Sequence, residues 1–471
     1  MTSEQKVTRT IICGRIPYLK ESETIRVEVW DDTDLLTTNR IFSTQSKNGD
    51  FKIVTFLKNP CQITLFVGSN RLYGDDDLGS AAELILLEPG DSLSITIPDR
   101  ESKISKGVIF SGKGSQKQTV LNSVSDRLRK LKADWSVKFI FNQKEIIEFN
   151  IAFKQIIEEE LKRYRMVVSS QAYNELRAIL LAFVHTSSIQ ALENENTPNS
   201  MARVLYSEQF IANFPIEDIV IPPDRVVSGW VIEKRALLDE AIRKGAVYNS
   251  SDSRNYSMMY ELLIREYSGK TFLNRIIAGY IVTQAKRYGW NEELEKVANL
   301  FKASTSNDPY SQQIAELQDQ FKALSKDAYS LDFYLKDSTD SPVSLGKFRG
   351  KVILLDFMFT GCEGCLQMAP VLDDLHRKYS DQDVIFLSIS VDKSFQQFKQ
   401  GIGRFSSSLS IPFYTSGEGT SHMIVKYYAL SRYPTLVLIG RNGNLISSRA
   451  PDPRNEQSRL DLESLINSAI K

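Results

Sequence analysis

Two cysteines, Cys362 and Cys365, stand three positions apart, with Glu363 and Gly364 between them. A continuous apolar run, Val352 to Phe359, precedes the pair, and a segment with helical periodicity follows it. A C-x-x-C pair between a buried strand and a helix is typical of a redox-active dithiol. Unpaired N–H groups at the start of a helix stabilise a thiolate. The spacing therefore predicts that Cys362 is the nucleophile and that Cys365 closes a disulfide with it.

The segments around this motif alternate between predicted strands and helices. Buried runs at 352–359, 384–391 and 435–439 are separated by predicted helices at 362–379 and 394–405. A tight turn at 440–444 leads to a further strand, and a helix at 460–470 closes the chain. This order predicts an α/β domain over residues 327–471.

The upstream residues predict two domains of different class. Segments 24–30 and 92–97 alternate polar and apolar residues, as in a half-buried antiparallel sheet, and turn signals between such runs favour a β-sandwich over residues 1–115. The apolar period becomes helical from about Gln116, so residues 116–326 are predicted to be α-helical, with breaks at 193–200, 221–223 and 249–255. The sequence thus predicts a multidomain protein with a C-terminal α/β domain.

Three stretches within residues 330–471 carry a family resemblance: VSLGKFRGKV at 343–352, the run from Asp356 through the cysteine motif to Pro370, and RYPTL at 432–436. With these stretches, residues 330–471 resemble the thioredoxin-like thiol-disulfide oxidoreductases of the TlpA and ResA type, which belong with the AhpC/TSA-like thioredoxin domains. The resemblance implies a thioredoxin fold in which Pro434 is cis and faces the disulfide. It also implies that Tyr433 offers backbone groups to a substrate strand. The upstream stretch LLEPGDSL at 86–93 resembles extensions that precede such domains in envelope proteins of Bacteroidetes-type bacteria.

The motif departs from the family pattern at several positions. Thioredoxins have W-C-G-P-C, whereas this chain has Gly361 and Glu363 on either side of the first cysteine; we include both among the predicted substrate contacts. ResA-like proteins often carry a glutamate where this chain has Met368. Asp356 occupies the position of thioredoxin's buried aspartate and interrupts an apolar strand. We expect burial to raise the pKa of Asp356 and let it exchange a proton with Cys365.

Two other kinds of cysteine chemistry fit the sequence less well. A zinc site needs four ligands, but the remaining cysteines, Cys13 and Cys61, stand alone and the chain has three histidines. We therefore expect no metal and no organic cofactor, and we expect Cys13 and Cys61 to be free rather than paired. A peroxiredoxin loop would require proline at Leu355 and threonine or serine at Phe359, so a thiol peroxidase is disfavoured.

The sequence predicts a thiol-disulfide oxidoreductase that acts on protein disulfides, in the direction of reduction by family analogy, and that is served by a redox partner protein. The alternative is a redox-inactive or redox-sensing binding protein of the cell envelope, in which residues 1–326 bind a ligand. The equal numbers of basic and acidic residues, 58 each, give no field that would favour nucleic acid.

No apolar run reaches the eighteen or so residues of a membrane span, so we expect none in this chain. The polar start at 1–6 has no signal-like apolar region, which leaves either a cytoplasmic protein or one whose secretion signal has been removed. The resemblance favours the periplasm or cell envelope.

Overall fold

The structure is a computed structural model of the 471-residue chain. It describes residues 7–19, 23–30, 35, 40–67, 70–72, 84–104, 106–136, 143–193, 208–221, 225–226, 228–244, 255–305, 308–325, 327–330 and 332–470. Two compact units are present: Met1–Tyr280 with Ala303–Tyr310, and Ile281–Lys302 with Ser311–Lys471. The predicted domain boundaries at residues 115 and 326 stay predictions.

The N-terminal residues form two β-sheets in the described part of the chain. The first, in the order β4-β1-β8-β9, contains β1 (Thr8–Arg15), β4 (Asp50–Leu57), β8 (Ser92–Thr96) and β9 (Ile109–Lys113). The second, in the order β3-β2-β5-β6, contains β2 (Thr24–Trp30), β3 (Arg40–Gln45), β5 (Cys61–Val67) and β6 (Asn70–Arg71), with β7 (Ile85–Leu87) also paired to β5. Strands β1 and β8 run parallel, which the antiparallel prediction missed.

One apolar core lies between these two sheets. Inward residues from the first sheet, such as Ile12 and Ile53, belong to the same buried cluster as Val27 and Leu65 of the second. Two sheets that share one core form a β-sandwich, so this part of the fold prediction is confirmed. Because Ile12 points into the core, the neighbouring Cys13 points to the opposite face of its strand. Neither Cys13 nor Cys61 forms a disulfide.

The middle of the chain is mainly helical, as predicted. Its helices are Gln116–Ser136, Gln143–Arg163, Ser170–Glu193, Gly229–Arg243, Tyr256–Tyr267, Leu273–Tyr288, Glu292–Ser304 and Pro309–Lys322, with a 3-10 turn at Ile216–Ile219 and the short strands β10 (Val220–Ile221) and β11 (Arg225–Val226). The first helix begins at the predicted residue. Of the predicted breaks at 193–200, 221–223 and 249–255, residues 194–200, 222–223 and 249–254 lie outside the described residues. Within the described ranges, no helix is both long and apolar enough to cross a membrane.

The second unit contains a mixed sheet in the order β13-β12-β16-β15-β14-β17-β18. Its strands are β12 (Tyr334–Asp337), β13 (Pro342–Ser344), β14 (Val352–Met358), β15 (Val384–Ser390), β16 (Ile411–Tyr414), β17 (Thr435–Ile439) and β18 (Leu445–Ala450). Its further helices are Glu363–Lys378, Phe395–Gly401, Met423–Tyr427 and Glu456–Ile470, and 3-10 turns lie at Leu345–Phe348 and Gly419–Ser421. Strand β14 runs parallel to β15 and antiparallel to β17, and all of its residues are buried.

One face of β14 fixes the position of the helix that follows it. Val352 and Leu354 belong to a buried cluster with Met368 and Leu372 of the helix Glu363–Lys378. Leu462 of the last helix joins the same cluster. The helix therefore lies against the sheet, and its first turn directly follows the short loop at the C-terminal end of β14.

Candidate active site

Cys362 and Cys365 lie between the C-terminal end of β14 and the helix Glu363–Lys378. Cys362 is the N-cap of this helix, and its Sγ accepts a hydrogen bond of 3.1 Å from the backbone N–H of Cys365. The two sulfurs are joined in a disulfide, with 5.2 Å between the Cα atoms. On reduction, a thiolate at Cys362 would occupy the position where the unpaired amides of the first turn stabilise negative charge.

Apolar side chains surround the disulfide. Cys362 is 4% exposed and Cys365 is 1% exposed, so the first cysteine is the more accessible of two nearly covered groups. Met358, Phe405 and Tyr433 pack against the pair. A substrate that reaches Cys362 must therefore contact this apolar surround.

Tyr433 and Pro434, which precede β17, lie against the motif. The peptide bond between them is cis. A Cβ atom added to Gly364 would lie 3.0 Å from Cδ of Pro434 and 3.8 Å from the carbonyl oxygen of Tyr433. The backbone N–H and carbonyl of Tyr433 make no hydrogen bond with any described residue. Those two backbone groups are therefore available to pair with an extended chain beside Cys362.

The Tyr433 side chain forms part of the same apolar surround. Its ring meets the ring of Phe359 edge to face, with 5.6 Å between the centroids. Its hydroxyl is buried without a hydrogen-bond partner among the described residues, and burial raises its pKa. Burial therefore favours the neutral form of the Tyr433 phenol.

Asp356 lies in β14, two residues before the end of the strand. Side chains alternate along a strand, so Asp356 shares its face with Leu354, which contacts the helix, and with Met358, which contacts the cysteines. The carboxyl is 4% exposed; its Oδ2 accepts a 3.5 Å hydrogen bond from Ser388, and no described residue bonds to Oδ1. Burial raises the pKa of Asp356 to about 7. Near neutral pH the group can therefore both accept and release a proton.

A buried carboxylate holds the loop that carries Cys362. Asp392, which follows β15, accepts a 2.9 Å hydrogen bond from the backbone N–H of Thr360 and lies 3.0 Å from its hydroxyl. Ser390 donates a further bond of 2.7 Å to the same carboxylate. Hydrogen bonds to a charged group are stronger than neutral ones. Asp392 therefore fixes the chain two residues before Cys362.

A comparison with protein families and known proteins agrees with this geometry. A family model described as thioredoxin-like matches residues 350–445. The thiol-disulfide oxidoreductase ResA of Bacillus thuringiensis is 25% identical over 132 residues, which are 28% of this chain and 71% of that protein. The C-terminal part is a thioredoxin-like domain of the ResA and TlpA type. By this homology it is an oxidoreductase domain for thiols and disulfides.

Other similar proteins match between a quarter and a third of the chain. NHL repeat-containing protein 2 of Gallus gallus is 28% identical over 127 residues, which are 26% of this chain and 17% of that protein. A solved structure of a putative thiol-disulfide oxidoreductase from Bacteroides vulgatus is 25% identical and covers 31% of this chain and 98% of its own, with a TM-score of 0.27. A putative thiol:disulfide interchange protein DsbE from Chlorobium tepidum is 22% identical over 31% of this chain and 99% of its own, with a TM-score of 0.28.

The structure shows where the residues that depart from the family motif lie. Gly361 has a φ of +97°, a conformation that favours glycine over the family's tryptophan, and Glu363 is exposed in the first helical turn. Met368 is 2% exposed in the apolar core, where a glutamate would be buried.

No group of three or more histidine, cysteine or acidic side chains that could hold a metal occurs among the described residues.

Sequence reasoning missed three residues at the site. Phe405 lies in a serine- and glycine-rich stretch whose composition gives no link to the cysteines. Asp392 follows a buried strand, and that position was the one signal that could have identified it. Arg454 Nη1 lies 3.3 Å from the carbonyl oxygen of Gly364, a contact across 90 positions of the chain. No spacing rule predicts such a contact.

Proposed function

We propose that this protein reduces disulfide bonds in other proteins through the Cys362–Cys365 dithiol. The observation that carries the proposal is the position of Cys362, at a helix N-terminus and beside the open backbone groups of Tyr433. The first feature favours a reactive thiolate, and the second offers an edge to an extended substrate segment. The homology to ResA supports the same chemistry.

The reaction proceeds by two thiol–disulfide exchanges. The Cys362 thiolate attacks one sulfur of the substrate disulfide, which breaks the substrate S–S bond and releases one substrate thiolate. The thiol of Cys365 then loses its proton and attacks Cys362 in the mixed disulfide, which releases the second substrate thiolate. The substrate gains two electrons, and the protein is left with the intramolecular disulfide. A redox partner protein must return two electrons before the next cycle.

Asp356 takes the proton of Cys365 in the second exchange. A carboxyl with a pKa of about 7 is partly ionised at neutral pH, so it can accept this proton and later return it. An ordinary exposed aspartate would be too weak a base for a thiol. We also propose that the protein works in the periplasm or cell envelope, as the resemblance of its domain to the ResA and TlpA type suggests; fractionation of the native cell tests this.

Reduction of insulin by dithiothreitol, followed as turbidity, tests the proposed activity in the full chain. We expect the wild type to accelerate the reaction and Cys362→Ser to abolish the acceleration. Cys365→Ser should instead accumulate a mixed disulfide with the insulin chain, visible by non-reducing electrophoresis. Cys13→Ser, which alters a free cysteine of the β-sandwich, is the matched control and should behave as wild type. A wild type no faster than dithiothreitol alone would contradict the proposal.

A further inference from the structure

Two arginines meet on one tyrosine ring beside the substrate-binding backbone. Arg432 directly precedes Tyr433, and its guanidinium carbon lies 5.9 Å from the ring centroid of Tyr288. The guanidinium carbon of Arg287 lies 5.3 Å from the same centroid. Neither guanidinium has an ion pair or a hydrogen bond with a described residue. Both positive charges are therefore held in place without a carboxylate of their own.

Two further arginines extend this group. Arg454 donates to the carbonyl of Gly364, 3.3 Å away, and so connects the group to the cysteine motif. Arg449 is half-buried, and its guanidinium donates to the backbone carbonyls of Lys286 and Ala429 at 3.1 and 2.9 Å. Arg449 has a structural role, whereas the guanidinium donors of Arg287 and Arg432 bond to no residue in the described part of the chain. We call Arg287, Arg432, Arg449 and Arg454 the arginine cluster.

The arginine cluster contains more positive than negative charge. Besides the Tyr288 phenol, the groups that act electrostatically on Arg432 are Arg287, Arg454 and Asp452, and Arg432 in turn acts on Arg449. Four arginines against one aspartate leave a formal charge of 4 − 1 = +3. Asp452 is already paired with Arg454 at 2.5 Å. Burial, followed by repulsion from Arg287, lowers the pKa of Arg432. An arriving anion would relieve this repulsion.

We propose that the arginine cluster binds an acidic side chain of the protein substrate, close to the cysteine that Cys362 attacks. A substrate segment paired with the backbone of Tyr433 would pass the adjacent Arg432. The planar guanidinium matches a carboxylate with two parallel hydrogen bonds. The proposal rests on the proposed function, and it goes further by naming the substrate class: disulfides flanked by aspartate or glutamate.

Three disulfide-linked peptides test this proposal with the reduced full chain. They share one sequence and differ in the two residues next to the cysteine, which are glutamate, glutamine or lysine. Single-turnover rates are measured by acid quench, alkylation and mass spectrometry. Each rate is divided by the rate of the same peptide with dithiothreitol, which removes the effect of the flanking charge on the thiol itself.

We expect the wild type to favour the glutamate peptide over the lysine peptide by about fivefold, and we expect salt to reduce this preference. Arg432→Gln should bring the ratio close to one, and Arg432→Lys should keep part of it. Arg441→Gln is the matched control, because Arg441 pairs with Asp383 beyond the opposite end of β17. It should leave the ratio unchanged.

Two results would overturn the proposal, and they are distinguishable. Equal corrected rates for the three peptides, or a preference that persists in Arg432→Gln, would show that the arginine cluster does not select substrates, while the proposed reductase activity would stand. Failure of the reduced protein to react with any of the peptides would overturn the proposed function together with the substrate class.

Discussion

Asp356→Asn should change how the stability of the second unit depends on pH. Relative to the wild type, the variant should become more stable as the pH rises. The wild-type carboxyl is buried with one long hydrogen bond, and burial raises its pKa from 3.8 to about 7. The charged form is the one that burial disfavours. Below pH 3.8 the carboxyl is protonated in both the folded and the unfolded protein, so no stability is lost. Between pH 3.8 and about 7 it ionises only in the unfolded protein, so the stability of the fold decreases as the pH rises.

The size of this effect follows from the two pKa values. One pKa unit corresponds to about 1.4 kcal/mol, so the wild type loses about 2 kcal/mol by pH 5 and about 4 kcal/mol by pH 8. Asparagine does not titrate, and the cost of its own buried amide is the same at both pH values. The variant should therefore gain roughly 2 to 3 kcal/mol in unfolding free energy on the wild type between pH 5 and pH 8.

Hydrogen exchange of the β14 amides measures this gain in the full chain. When exchange is limited by the opening equilibrium, the ratio of wild-type to variant rates at one pH reports their difference in opening free energy. We expect this ratio to rise roughly a hundredfold from pH 5 to pH 8. Asp381→Asn, at an exposed carboxylate, is the control and should show no such change. If the ratio for Asp356→Asn stays constant with pH, burial does not raise the pKa of the Asp356 carboxyl, and the reasoning is refuted.

Three further substitutions test the loop and the helix start. Asp392→Asn weakens the charge-assisted hydrogen bond of 2.9 Å from the Thr360 amide, so hydrogen exchange of that amide should be about tenfold faster. Unchanged exchange would show that Asp392 does not fix the loop. In Gly361→Ala the new Cβ meets no atom within 4 Å, but the alanine must adopt a φ of +97°. Hydrogen exchange of β14 should therefore report a loss of about 1 kcal/mol in stability. An exchange rate equal to that of the wild type would argue against backbone strain at this position. Gly364→Ala places a Cβ 3.0 Å from Cδ of Pro434, so insulin reduction should slow while β14 exchange changes little; full activity would place the substrate elsewhere.

Local patterns predicted most elements of the thioredoxin-like domain. Strand β17 (Thr435–Ile439) has the predicted bounds, and β14 ends one residue before the predicted end. Both are continuous apolar runs, and burial on both faces leaves little ambiguity in such a pattern. The N-terminal β-sandwich and the helical middle followed from the change of period near Gln116. The parallel pairing of β1 with β8 could not be predicted, because strand order depends on contacts between residues far apart in sequence.

The same limit applies to the site. Spacing and flanking strands were enough to single out Cys362 and Cys365, because three positions at a helix start bring two side chains together. The anchoring of Thr360 by Asp392 spans 32 positions, and the approach of Arg287 to Arg432 joins a helix to the start of a distant strand. Contacts of this kind depend on how the elements pack, and a single sequence carries no spacing rule for them.

The most direct test of the account is the equilibrium redox titration of the Cys362–Cys365 pair in the full chain against glutathione, with Cys362→Ser as the control. We expect one two-electron couple near or below thioredoxin's, roughly −270 mV, which suits a reductase. A potential near that of the oxidant DsbA, about −120 mV, would reverse the proposed direction. Failure of the pair to titrate would contradict the central claim that it is a redox-active dithiol.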